Sequence, residues 1–157
     1  MYMEQMSQAL SIAAAPIHSQ SVAAGTAQTG GVDMQKFGRA LFILDVGAFG
    51  ASATADMKLQ ESTDNATFFD MAVDIPTISN VAIAQLLAAG GNNRLASLEV
   101  RADQLSTGKR YVRALVTVGV AATQLAVIPL GGEAVGKPGA AQDIGAVAQR
   151  LVAAGPT

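Results

Sequence analysis

The chain has 157 residues, enough for one domain, and contains no cysteine, so disulfides, thiolate nucleophiles and cysteine-ligated zinc are excluded. Its formal charge of −2 argues against a general binder of nucleic acid or anionic membrane. Charged residues make up only 14% of the sequence and AVILMFWYC 50%, where about 25% charged is ordinary, so the surface of this small domain is expected to be covered by partners, as in an oligomer or assembly subunit.

Residues 1–31 are rich in Ala, Ser, Gln and Gly and read as an N-terminal arm, with short extended pieces at "ALSIA" and "IHSQSV" and a loop at "AAGTAQTGG". No export signal is expected: no Lys or Arg precedes Ala13, and Glu4 stands where a signal peptide would be positive. Residues 32–134 carry the strand patterns of a core domain. "RALFILDV", 39–46, is a near-continuous apolar run, expected of a strand covered on both sides. "TADMKLQE", 54–61, alternates, with Ala55, Met57 and Leu59 on one face. "TFFDMAV" resumes the alternation after a polar tip, with Phe69, Met71 and Val73 inward, and completes a hairpin.

"SNVAIAQLLAAGG" fits two readings. One is a helix with Asn80 as N-cap, an Ile83/Leu86/Leu87 stripe and a stop at Gly90; the other is a further strand and loop. "ASLEVRA", 96–102, places Leu98 and Val100 inward. "KRYVRALVTV", 109–118, stacks Val112, Ala114, Val116 and Val118 on one face. "TQLAVIPL" follows, and its Pro129 suggests a sheet edge or strand end. Residues 114–132 are uncharged over nearly the length of a bilayer span. Thr, Gln, Pro and Gly within the run, and its division at "GVAAT", favour two buried strands. Short strands at turn-spaced intervals define an all-β sandwich or jelly roll. Residues 135–157 form a tail of turn chemistry followed by "IGAVAQRLVAA", a weakly amphipathic stretch with Ile144, Val147, Ala148 and Leu151 on one helical face.

No motif assembles a catalytic, cofactor or metal site. "GGEAVGKP" imitates a phosphate loop through Gly131, Gly136 and Lys137, but Pro138 replaces the hydroxyl residue that would hold magnesium, so it reads as a loop. His18 is the single histidine and has no carboxylates clustered near it in sequence; it reads as a surface or strand-end residue. "LQESTDNATFFDM", 59–71, offers Glu61, Asp64 and Asp70 at irregular spacing without the central Gly of a calcium loop. Its Asn65-Ala66-Thr67 matches a glycosylation acceptor, which matters only on a secretory route. Ser62, Thr63, Asp64 and Asn65 make an ordinary turn, and Phe69 is expected to re-enter the core. In "GKRYVR", Lys109, Arg110 and Arg113 surround Tyr111. Strand alternation divides them between faces, and the arginines are expected to pair with carboxylates in the sheet or on a neighbouring subunit, with Glu99 and Glu61 as the candidates.

The segments "VDMQKFGRALFILDVGAFGASATADMKLQESTDNATFFDM" and "LEVRADQLSTGKRYVRALVTVGVAATQLAVIPLGGEA" resemble a family of small structural proteins of tailed bacteriophages. Members share an apolar strand ending in "VG.(F/L)GA.ATAD", then "K.QES.D", then "GKRYVR..VTVG". The resemblance covers roughly residues 32–134. It implies a virion protein on the outer capsid surface, a β-sandwich that decorates and cements the shell by binding the major capsid protein and itself, trimer preferred. It brings no catalytic residue and no cofactor, and implies neither a nucleic acid nor a membrane partner. A tail- or connector-associated role, or a carbohydrate-binding adhesion module, is the alternative; the scarcity of aromatic residues, 4% with no Trp, weighs against the latter.

Overall fold

The computed structural model describes residues 6–71, 81–136, 143–145 and 147–149. A single helical turn, α1 (Met6–Ala9), leads into β1 (Leu10–Ile12), β2 (Ile17–Val22), β3 (Gly25–Gln28) and β4 (Val32–Asp33). The long strands β5 (Phe37–Phe49) and β6 (Thr54–Ser62) follow, then the short β7 (Phe69–Asp70) and β8 (Leu86–Leu87). The chain ends its sheets with β9 (Arg94–Arg101), β10 (Tyr111–Gly119) and β11 (Thr123–Ala134).

All pairings are antiparallel. The first sheet runs β1–β11–β5–β9, with β2 beside β1 on the same edge of β11; the second runs β3–β10–β6–β7, with β4 also on β10 and β8 on β6. Taking β2–β11–β5–β9 against β3–β10–β6–β8, the early strands lie beside the late ones in both sheets. The chain passes from one sheet to the other at each of the turns 23–24, 50–53, 88–93 and 120–122. That strand order is a jelly roll. The register puts all four turns at one end of the sandwich: Val22 and Phe49 both pair with Thr123, and Leu87 and Gly119 both pair with Thr54.

Alternation explains the core. Ala40, Phe42, Leu44 and Val46 of β5 and Leu125 and Val127 of β11 face Ala55, Met57 and Leu59 of β6 and Val112, Ala114, Val116 and Val118 of β10, all buried. Each large member contributes about 1.5–3 kcal/mol by leaving water. The inward faces expected for residues 54–61, 96–102 and 109–118 are the ones formed.

Several local expectations are corrected. The "AAGTAQTGG" loop contains a strand: β3 pairs with β10 from Gly25 opposite Val118 to Gln28 opposite Leu115. Thr29 then ends that ladder with its own side chain, Oγ1 accepting the Ala114 N–H at 3.0 Å. The segment read as an N-terminal arm thus supplies β1 and β2 to one sheet and β3 to the other, its largely exposed residues held by backbone pairing to β11 and β10. Pro129 lies at no edge. It sits within β11, between β5 and the gap separating β1 from β2, where its carbonyl accepts the Ala13 N–H and its missing N–H faces no ladder partner. Of the two readings of residues 79–91, the extended one is formed. Val81 and Ile83 follow the edge of β6, Leu86 and Leu87 make β8, and Ala88–Gly90 is a 3-10 turn; Asn80 lies outside the described residues. The described part of the tail forms no helix. The Ile144 N–H donates to the Ile12 carbonyl at 3.0 Å, and the Asp143 carboxylate accepts the Ile12 N–H at 2.7 Å, so the tail runs beside β1; Leu151 lies outside the described residues.

Candidate interaction surfaces

The outer face of the first sheet departs most from expectation. Residues 39–46 read as a strand covered on both sides, but only one side is covered by the described chain. Asp45 is exposed and Leu41 and Ile43 are half-buried on the outer face. Register sets these beside like residues: Leu41 opposite Leu130, Ile43 opposite Ile128, and Ile12 opposite Leu130 on the far side. Ile128 is 42% exposed. The result is an apolar stripe across three strands.

Ions bound this stripe at one end. Arg39 Nε donates to Glu133 Oε1 at 2.8 Å and its Nη1 to Glu99 Oε1 at 3.3 Å, which raises the guanidinium pKa further. β5 holds the arginine between β9 and β11, so the ladder follows from strand order. Glu99, expected to pair with an arginine of "GKRYVR", is therefore committed to Arg39.

The arginines of "GKRYVR" go elsewhere. Arg110 grips Asp33 bidentately at 2.6 and 2.8 Å, tying β4 to the start of β10 and holding the Asp33 carboxyl below its ordinary value. Arg113 gives both Nε and Nη2 to the neutral Gln60 Oε1 and lies 4.0 Å from the Phe68 ring centroid; burial lowers its pKa. Lys109 sits 4.5 Å over Phe69. Phe69 is thus no core residue: it opens the edge strand β7, 56% exposed with Lys109 over its ring, whereas Met71 is buried.

The three acids of residues 59–71 each serve the fold. Glu61 is buried and accepts the Ser106 N–H at 2.9 Å, fixing the loop before β10. Asp64 builds the corner, one oxygen accepting the Ser62 hydroxyl and the Ala66 and Thr67 N–H groups, which pulls its pKa down to about 2. Asp70 receives Lys58 and Gln60, which lower its pKa. Asn65 adopts a left-handed φ of 58° and its side chain lies over Gly31, leaving no room there for a Cβ. The stretch is a hairpin corner. His18 is exposed on β2, Gly131 is buried in β11, and Lys137 and Pro138 lie outside the described residues. Among the described residues no three His, Asp or Glu side chains group as metal ligands, and no helix is long and apolar enough to cross a membrane.

No protein-family model and no curated protein matches the sequence. Solved structures of virus particles are similar at low scores. A cowpea mosaic virus chain from naturally occurring empty particles aligns at TM-score 0.34 and 9% identity, over 73% of this chain and 62% of that one. A chain of the cowpea mosaic virus empty virus-like particle gives 0.34 and 10%, over 73% and 58%. A chain of Israeli acute paralysis virus, from the full particle heated to 63 degrees, gives 0.37 and 8%, over 91% and 78%. This chain spans about six-tenths of the length of the cowpea mosaic virus chains. The jelly-roll assignment rests on the strand order, not on these alignments.

Proposed function

We propose that this chain is a structural virion protein that decorates and stabilises a capsid by binding major capsid protein subunits on the outer surface of the shell. It acts as a closed homo-oligomer, trimer preferred, and has no catalytic role. The observation that carries the reading is the apolar stripe Ile12–Leu130–Leu41 with Ile43 and Ile128, a face patterned for burial that the described chain leaves open. The phage-protein resemblance of residues 32–134 supports the same reading. Completing the burial of each half-covered Leu or Ile contributes about 1 kcal/mol. One face is therefore a modest interface, and several copies held together bind far more tightly than one. The Arg39–Glu99–Glu133 ladder at the margin sets orientation more than affinity. The tail is the arm of this device, since it departs alongside Ile12 at the border of the stripe.

Co-sedimentation with mature capsids stripped of the protein tests the proposal. Saturation at a symmetry-related number of copies is expected, weakened at least tenfold by Ile128→Glu and by deletion of residues 136–157 in chains that still fold. Absence of the wild-type protein from the capsid pellet would remove the decoration role.

A further inference from the structure

Three strands of the second sheet carry one polar network across its outer face. Register sets Arg113 of β10 opposite Gln60 of β6, and Gln60 opposite Asp70 of β7. Lys58 Nζ and Gln60 Nε2 donate to the two Asp70 oxygens at 2.6 and 2.8 Å. The Gln60 amide is thereby oriented: its nitrogen is engaged by Asp70, and its oxygen accepts Arg113 Nη2 at 2.8 Å and Nε at 3.0 Å. Phe68 lies against the guanidinium at 4.0 Å and is itself pinned over Gly31, where a Cβ would come within 3.1 Å of the Phe68 Cζ.

This network positions a charge without neutralising it. Arg113 is half-buried, and among the described residues it forms no ion pair. Glu99 is held by Arg39 and Glu61 accepts the Ser106 N–H, while Asp70 reaches Arg113 only through the neutral amide. A guanidinium has two edges that can each grip a pair of oxygens. Gln60 takes the side edge, Nε with Nη2. The end edge, Nη1 with the second N–H of Nη2, has no acceptor among the described residues. Lys109, 4.5 Å over the adjacent ring of Phe69, is a second cation that forms no ion pair among the described residues. Holding a half-buried charge against a ring and an amide costs free energy until an anion completes the site.

We propose that the end edge of Arg113, flanked by Phe68 and Lys109, is a receptor for a carboxylate carried by an acidic segment of a partner polypeptide. The two parallel N–H groups of that edge match the two oxygens of a carboxylate. Because Gln60 and Phe68 already fix the guanidinium, little freedom is lost on binding. A phosphate fits less well, since it brings more negative charge to a hairpin that already holds Asp64 and Asp70, and a nucleic acid needs a run of cations that this face lacks. An acidic sugar would stack on an aromatic ring, but Phe68 and Phe69 each already carry a cation of this chain. The site lies on the sheet opposite the apolar stripe and does not depend on the decoration role.

Titration of the full-length, nitrogen-15-labelled protein with a blocked hexapeptide of alternating Gly and Glu tests the inference. Saturable shifts centred on the amide signals of Phe68, Lys109 and Arg113 are expected, and none from the peptide with Gln in place of Glu. Arg113→Lys keeps the charge but not the fork and should weaken binding at least fivefold; Lys109→Gln should weaken it at least twofold. Arg101→Gln removes the same charge from an arginine that already grips Asp103, and should change binding less than twofold. The dispersion of each variant's spectrum shows that it is folded, and Lys109→Gln carries the test should Arg113→Lys not fold. Absence of saturable shifts with the Glu peptide overturns the inference, as do shifts centred elsewhere or an equal loss in Arg101→Gln. Tighter binding of inorganic phosphate or sialyllactose than of the peptide would give the site to another ligand, and the inference falls. It falls too if the peptide binds only after Asp74→Asn, because the chain then fills the edge itself.

Discussion

The ring of Phe37 lies directly against Gly131. A Cβ built on Gly131 would come within 2.6 to 2.7 Å of three ring atoms, and Phe37 is only 1% exposed, so the ring has no open space to retreat into. β5 and β11 pair here, with Gly131 opposite Ala40, and the missing side chain is what lets the ring fill the mouth of the sandwich.

Gly131→Ala should therefore destabilise the protein by about 1–3 kcal/mol, the usual cost of overpacking a filled core. Urea denaturation at constant m-value measures it. Phe37→Leu in the Gly131→Ala background should recover part of the loss, because the two changes share one space.

Ser11 makes the opposite prediction. Its hydroxyl is buried on the inner face of β1 and has no hydrogen-bond partner among the described residues. Ser11→Ala removes an unsatisfied polar group and should leave stability unchanged or raise it by up to about 1 kcal/mol. A clear fall in melting temperature would mean that the hydroxyl is satisfied in solution.

Asp64 gives the corner 62–67 a pH dependence. Its folded pKa is lowered from 3.8 to about 2, by the Thr67 and Ala66 N–H groups and then the Ser62 hydroxyl. A depressed folded pKa means a contribution fully present above the unfolded value and lost as pH falls through the folded one. The stability gap between wild type and Asp64→Ala should thus be largest above pH 4 and close between about pH 4 and pH 2. Thermal melts at stepped pH read it; a gap independent of pH would show that the carboxylate does not hold the corner.

The Asp33–Arg110 pair should show favourable coupling in a double-mutant cycle of Asp33→Asn and Arg110→Gln. Its two charge-assisted bonds strengthen the coupling, but the Arg110 side chain is 37% exposed and solvent screens part of the attraction. Molar salt should shrink the coupling without abolishing it.

The strands that alternate were legible because period-two patterning survives any sandwich. Met57, Leu59, Val112 and Val116 are buried where the alternation placed them. Residues 39–46 misled through Leu41 and Ile43, because an apolar residue awaiting a partner and one covered by its own chain look alike in sequence. Phe69 misled because alternation does not show where a strand meets the sheet edge: it opens β7 with its ring outside, under Lys109, and of that face only Met71 is buried. The pairing of Arg110 with Asp33 depends on β4 lying beside β10, a contact between residues 77 apart in sequence that local pattern does not encode. The clustering of the four crossing turns was hidden for the same reason: they are scattered in sequence and meet only through register.

β11, the last strand among the described residues, is an interior strand, with β5 on one side and β1 and β2 on the other. Every pairing that closes the first sheet except β5 with β9 waits for residues 123–134 to leave the ribosome. Until then β1 and β2 stand unpaired, and the second sheet has only β5 and β9 to cover its apolar face. A chain interrupted before Thr123 is left with an open, sticky half-sandwich, the kind of species that cells clear by proteolysis. Synthesis thus acts as its own proofreader: a subunit gains its shape, and with it any capacity to join others, only in a single step that waits for residues 123–134.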